Sequence, residues 1–203
     1  DVGTIAYTSA NPNYSTLRGT TKVLESFDDR SKILSTSALL APGATLDDPK
    51  RINFINIQNS QTTHAEGYTP LPMRTGYERV IGHRTPPLYC TTSKKEGGVV
   101  KEVNKKSVVV EYPDGEVVSV ETGRIFGKWS GKVIPHEIIT EVQVGQKLPV
   151  GAVIAYNKHF FQRDVLDPSQ VLLKPGVLAR TVLWESTGTL EDSCGLSAEF
   201  AAK

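Results

Sequence analysis

Two cations, Lys50 and Arg51, directly follow the sequence DDP at 47–49, a combination that predicts the start of a helix. Aspartate caps the first N–H groups of a helix and proline fits its first position, so we expect a short helix over 49–60. Cations are disfavoured at this end, because the helix dipole makes it positive. An anionic ligand would compensate, and arginine at a helix start suits phosphate. The alternative is that both side chains project into solvent or pair with Asp47 and Asp48.

A second polar pair, Glu191 and Asp192, lies near the C-terminal end of the sequence, just before a predicted short helix. Adjacent carboxylates are typical of contacts to a divalent metal or to a polar substrate. The alternative is that Asp192 caps the helix and Glu191 is solvated, since acidic residues are common at helix starts.

Several other kinds of site are not supported by the sequence. The four histidines lack metal-ligand spacing, and neither a phosphate-binding glycine loop followed by Lys-Ser/Thr nor a GxSxG nucleophile elbow is present. The two cysteines show no CxxC spacing, which argues against a zinc site or a disulfide scaffold. Lys and Arg total 23 against 22 Asp and Glu, so no global field attracts nucleic acid or membrane. Eight basic residues between 94 and 132 alternate with six acidic ones, which favours a solvated face over a nucleic-acid surface.

The elements that must position these residues are predicted to be mainly β with short helices. Val, Ile and Thr make up about a quarter of the 203 residues, with 17 Gly and 12 Pro between them. The clearest signal is a three-strand meander over 99–103, 108–112 and 117–120, separated by Asn-Lys-Lys and Pro-Asp-Gly turns. Further strands are predicted at 77–81, at 142–144 and 153–155, and at 171–174 and 177–184, and a second short helix near Gly195.

Five segments, read in order, resemble the β subunit of multisubunit DNA-directed RNA polymerase. DDPKRINFINIQNSQ (47–61) is similar to the family's Asp-Asp-x-x-Arg helix, and LPMRTGYERVI (71–81) to its PLVGTGMER segment. GGVVKEVNKKSVVVEY (97–112) resembles its Gly-Gly-Val-Val meander, and VQVGQKLPVGAVIA (142–155) its glycine-rich turn. TLEDSCGLSAEF (189–200) resembles its Phe-Glu-Asp-Ser-Ile segment. The resemblance covers roughly residues 47–200.

The resemblance implies roles for individual residues. Arg51 stands where the family has an arginine that contacts the phosphates of the incoming nucleotide, and Lys50, where the family has an asparagine, is assigned with it. Glu191 and Asp192 stand at the acidic pair near the second magnesium ion. Gln61 falls at a glutamine near the RNA end of the hybrid, and Arg79 at the family's Gly-x-Glu-Arg position. The Mg²⁺ ion itself is expected to be held mainly by a β′-type partner chain.

The resemblance also implies an architecture and partners. It predicts half of a double-psi β-barrel plus a sandwich-barrel hybrid segment. The predicted order is a lead-in at 1–46, a nucleotide-site helix and barrel segment at 47–98, the meander and hybrid at 99–160, and a return to the barrel at 161–203. The chain would be an excerpt or one piece of a split β, of the kind found in giant bacteriophages, acting in the host cytoplasm or carried in the virion. Its partners would be the remaining β and β′ parts, DNA template, RNA and nucleoside triphosphates, with no membrane. The competing hypothesis is a non-enzymatic β-barrel or barrel-sandwich interaction module.

Overall fold

The computed structural model describes residues 34–61, 65–129, 132–188 and 193–203. The fold is mainly β with a few short helices, as the composition predicts, and its antiparallel strands form two four-stranded sheets and one two-stranded sheet. The strands are β1 Cys90–Thr92, β2 Gly98–Val103, β3 Ser107–Glu111, β4 Val117–Glu121, β5 Gly123–Trp129, β6 Lys132–Ile139, β7 Lys147–Leu148, β8 Val153–Asn157, β9 Phe161–Arg163 and β10 Val171–Leu173. The helices are α1 Thr36–Leu39, α2 Pro49–Ser60, α3 Tyr77–Val80 and α4 Ala198–Ala201, with 3₁₀ turns at Ala44–Leu46 and Ile81–His83.

The predicted meander is confirmed and forms a sheet in the order β4-β3-β2-β7. Its β3–β4 turn is closed by Gly115, whose φ of 82° lies in the left-handed region that glycine tolerates, and by Asp114, whose side chain accepts the N–H of Glu116. Val108 and Val110 alternate with half-buried neighbours along β3 and reach the core with no exposed surface. The strand period therefore decides which valines form the core.

The second sheet has the order β1-β8-β6-β5, and the hairpin of β5 and β6 is its longest pairing. All five residues of β8 are buried, because this strand lies between the two hydrophobic clusters that the described residues form. One cluster is centred on the meander and the other on Phe161, Val171 and Cys90. Within the described ranges, neither four-stranded sheet nor the β9–β10 pair closes into a barrel.

Four local predictions need correction. Residues 77–81 form α3 and the following 3₁₀ turn rather than a strand, because the buried Glu78 carboxylate accepts the N–H groups of Thr75 and Gly76 and holds the chain in a helical turn. Residues 142–144 lie outside any strand. Residues 177–184 are not paired in a sheet, and the helix near Gly195 begins only at Ala198, with Ser197 as its cap. None of the helices in the described ranges is long and apolar enough to cross a membrane.

Candidate functional site

The helix α2 has the bounds predicted from the sequence, and its first turn is closed by local hydrogen bonds. The Asp48 carboxylate accepts the N–H of Lys50 at 3.1 Å, and the Asp48 carbonyl accepts the N–H of Arg51 at 2.9 Å. Asp47 in turn accepts the N–H of Asp48 at 2.7 Å. Because these N–H groups already have partners and Pro49 has none to donate, an anion at this helix start would be held by side chains and by the helix dipole.

The side chains of Lys50 and Arg51 are exposed, and neither forms a hydrogen bond or an ion pair with any residue the structure describes. Pairing with Asp47 and Asp48, one of the two alternatives drawn from the sequence, is thus not observed. Asp48 serves as the cap instead. Two cations that no described residue compensates therefore stand at the positive end of a 12-residue helix, where an anion such as a triphosphate would remove the electrostatic cost.

The helix α2 is only half embedded in this chain. The side chain of Asn59 donates to the carbonyl of Ser37, and Ser35 is hydrogen-bonded to Asn56, so α2 is attached to the turn of α1. Phe54, by contrast, is 58% exposed. At the C-terminal end the N–H of Gln61 bonds to the carbonyls of the last turn, and its side chain projects into solvent.

Arg79 lies in a cluster that the sequence did not indicate. The carboxylate of Asp164, between β9 and β10, is completely buried. Its Oδ2 lies 2.5 Å from Nε of Arg79, and its Oδ1 lies 3.6 Å from the guanidinium of Arg74. The Arg79 contact is close but lies off the hydrogen-bond direction, so the two groups pair by charge. Asp164 Oδ1 also accepts the N–H of Leu166 at 3.0 Å. One edge of the Arg79 guanidinium is thus already used inside the protein.

The elements that carry these residues are joined through α1. The Thr75 hydroxyl, one turn before α3, donates to the Leu39 carbonyl at 2.6 Å, and α2 packs on the same α1 turn. Within the described residues no hydrogen bond or ion pair links Lys50, Arg51, Gln61 and Arg79 directly. The predicted acidic pair Glu191 and Asp192 lies outside the described residues.

The local environment shifts the pKa values of two further groups, the thiol of Cys90 and the carboxyl of Glu141. Burial raises the pKa of the Cys90 thiol to about 11 in spite of the nearby Arg163 and Lys94, so Cys90 is an inert core residue. Burial also raises the pKa of Glu141, but hydrogen bonds from Arg163 and Tyr156 outweigh it and leave the pKa below its ordinary value. In the described ranges no group of three or more His, Cys, Asp or Glu side chains is arranged to hold a metal ion.

Sequence reasoning missed Asp164 and Arg74, and no local signal marks them. Arg74 and Asp164 are far apart in the sequence, and the packing of α3 against β10 brings them together. No model of a known protein family matches the chain, and a comparison with curated proteins likewise finds no significant match.

Proposed function

We propose that this chain is part of the β subunit of a multisubunit DNA-directed RNA polymerase and is inactive alone. The observation that carries the proposal is the start of α2, where Lys50 and Arg51 are exposed and have no partner among the described residues, beside an intact Asp48 cap. This arrangement lies in the first of five segments that resemble the family in the right order. The confirmed helix and meander provide the local structure that two of those segments require.

In the proposed reaction the RNA 3′-hydroxyl attacks the α-phosphate of a nucleoside triphosphate, and pyrophosphate leaves. Arg51 would donate hydrogen bonds to the triphosphate, and Lys50 would add positive charge at the same helix start. Gln61 and Arg79 are proposed to lie on the RNA side of this position. Such contacts bind and orient the nucleotide, which is how most of the rate of phosphoryl and nucleotidyl transfer is obtained.

Mg²⁺ would supply charge neutralisation at the phosphates, and we assign it to a β′-type partner. The described residues of this chain form no cluster suited to a metal, and Glu191 and Asp192 are proposed only to stand near it. No metal-dependent step is therefore assigned to the described residues. DNA template, RNA and the remaining β and β′ parts are the proposed partners, and the double-psi barrel is proposed to be completed with them.

The first test is the purified chain on its own. It should incorporate no nucleotide on a DNA template, because the catalytic metal ligands lie elsewhere, and should bind duplex DNA only weakly, because its charges nearly balance. Template-dependent RNA synthesis by this chain alone would overturn the assignment to a subunit.

The sharper test is Arg51→Ala in the assembled polymerase. Loss of a charge-assisted hydrogen bond costs about 1.5–3 kcal/mol, which corresponds to roughly ten to more than a hundredfold in kcat/KM. The apparent KM should rise similarly for all four nucleotides, because phosphate contacts do not discriminate between bases. Arg51→Lys should recover only part of the activity, because lysine keeps the charge but lacks the planar fork.

Lys147→Ala is a matched control, because Lys147 is exposed on β7 and also forms no ion pair with a described residue. It should leave nucleotide kinetics unchanged. Extension assays with each nucleotide limiting in turn measure the effect. An unchanged KM for all four nucleotides in Arg51→Ala would remove Arg51 from the site and favour the alternative, a non-enzymatic interaction module.

A further inference from the structure

The structure separates the basic residues between 94 and 132 into two groups that composition does not distinguish. Six of the eight have side chains that the structure describes. Three are held by the protein itself: Lys95 by Asp114 and Glu116, Lys101 by Glu111 at 2.7 Å, and Lys94 by the His83 carbonyl at 3.2 Å. The other three form no hydrogen bond or ion pair through their side chains with a described residue: Lys105, Lys106 and Arg124.

Two of the unpaired cations line one surface depression. Lys105 and Arg124 border a cavity of about 530 Å³ between the β2–β3 turn and the β5–β6 hairpin. Its wall also contains Thr122, a residue only 6% exposed, whose buried hydroxyl oxygen has no hydrogen-bond partner in the described part of the chain. Two cations on the wall of one depression suit phosphate oxygen.

A second cavity of about 340 Å³ adjoins the first, and the two share Arg124 and Glu137. Here Lys174 is half-buried, and its ammonium donates to the Lys158 carbonyl at 2.5 Å without a carboxylate partner among the described residues. Lys158 is paired with Glu137 at 2.7 Å. Burial, with a smaller contribution from the Lys158 charge, lowers the pKa of Lys174, and a bound anion would relieve both effects.

The two cavities together form one groove, which we name the basic groove. It carries four cations, Lys105, Arg124, Lys158 and Lys174, against two carboxylates, Glu66 and Glu137. The groove therefore carries a local excess of positive charge, although the whole chain has a formal net charge of only +1. A groove with several separated cations suits a polyanion with regularly spaced charges.

Aromatic rings stand at the Lys174 end of the groove. Tyr68 lines the second cavity, and its ring centroid lies 4.6 Å from that of His159 and 6.4 Å from that of Phe160. Tyr68 is half-buried, so its ring is fixed by this packing and still reaches the surface. A rigid aromatic ring beside phosphate-binding cations is the combination by which proteins bind unpaired bases, and an acidic peptide would not need it.

We propose that the basic groove binds single-stranded nucleic acid, with Lys105, Arg124 and Lys174 on phosphates and Tyr68 stacking on a base. No residue of α2 lines the groove, so Arg51 is not part of it, and its binding needs no polymerase partner. Failure of this proposal would therefore leave the proposed polymerase function standing, and the reverse is also true.

The test measures binding of a fluorescein-labelled twelve-nucleotide dT strand to the 203-residue chain by fluorescence anisotropy. Each phosphate contact contributes about 0.7 to the slope of log K against log salt and about tenfold to affinity at 50 mM salt. The double variant Arg124→Gln/Lys174→Gln should therefore weaken binding roughly a hundredfold at 50 mM salt and reduce the slope by about 1.4. Thermal unfolding of each variant checks that the fold is kept.

Controls separate the groove from general positive charge. Lys101→Gln/Lys106→Gln removes the same charge outside the groove and should change the affinity less than threefold. Tyr68→Leu should weaken binding of the dT strand several-fold and leave an abasic strand of equal length unaffected, because only bases stack. Equal losses in both double variants, tighter binding of a duplex or of poly-glutamate than of the dT strand, or no measurable binding by the parent chain would each overturn the proposal.

Discussion

The buried carboxylate of Asp164 allows a quantitative prediction about stability. The substitution Asp164→Asn keeps the size of the side chain and its acceptor for the Leu166 N–H, but it removes the charge that faces Arg74 and Arg79. Breaking a buried ion pair by removing one partner costs about 3–5 kcal/mol when the other charge stays buried. Here Arg74 and Arg79 are 32% and 39% exposed and can regain water. We therefore expect a smaller cost, about 2–3 kcal/mol.

For a chain of this length about 1 kcal/mol shifts the unfolding midpoint by 2–4 °C, so Asp164→Asn should lower Tm by about 4–12 °C. Glu111→Gln is the matched control, because it removes one carboxylate from an exposed pair with Lys101. Exposed pairs contribute about 0–1 kcal/mol, so this variant should shift Tm by no more than about 4 °C. Calorimetry or circular dichroism at one pH and salt concentration measures both.

A double-mutant cycle with Arg79→Gln then isolates the pair. Because Asp164 and Arg79 are in contact, the double variant should lose less than the sum of the single losses, with a coupling of about 0.5–3 kcal/mol. If Asp164→Asn lowers Tm no more than Glu111→Gln, or if the two losses simply add, the pair of Asp164 and Arg79 does not hold α3 on the β9–β10 hairpin.

Two further predictions concern titratable groups. Cys90 is buried with its pKa raised to about 11, whereas Cys194 is exposed, so a thiol reagent at about pH 8 should label one thiol rapidly, and Cys194→Ser should abolish that fast phase. Rapid labelling of both thiols in the folded chain would contradict the burial of Cys90. The lowered pKa of Glu141 means that its stabilising contribution is present above the ordinary carboxyl range and is lost as the pH falls through the folded pKa. Glu141→Gln should thus destabilise by about 1 kcal/mol or less at pH 7 and by clearly less near pH 3, because the Glu141 side chain is 44% exposed and water screens its contacts with Arg163 and Tyr156. An equal loss at both pH values would contradict this.

The parts of the fold that could be predicted are those with a local cause. The helix α2 follows from a cap and a proline that act within one turn, and the meander follows from a two-residue alternation and from Gly115 in its turn. The α3 segment was mispredicted because Tyr, Val and Ile favour strands, while the helical turn depends on the buried Glu78. The propensity was overridden by two hydrogen bonds that sequence reading did not anticipate.

The candidate sites divide in the same way. The exposed pair at the start of α2 is visible in the sequence, because the charges and the helix start are neighbours. The partners of Arg79 and the alignment of Lys105 with Lys174 depend on tertiary packing, since β5, β6 and the β8–β9 turn bring distant segments to one groove. Charge counting treated all basic residues between 94 and 132 alike, and only side-chain geometry separates paired from unpaired cations.

The predicted strand at 177–184 shows that a segment can have the residues typical of a strand and still not be paired in a sheet. The segment is rich in β-formers, and Val182, Leu183 and Trp184 are 83%, 106% and 86% exposed in succession. Consecutive apolar residues alternate between the two faces of a strand, so this segment is suited to a sheet that is covered on both sides. The described part of this chain provides no such sheet, since the one bridge next to the segment joins Gly176 to Thr69. A strand that one chain contributes to a barrel would, without its neighbours, show unpaired backbone groups and apolar side chains on both faces. The segment therefore agrees with the proposal that partner chains complete the fold.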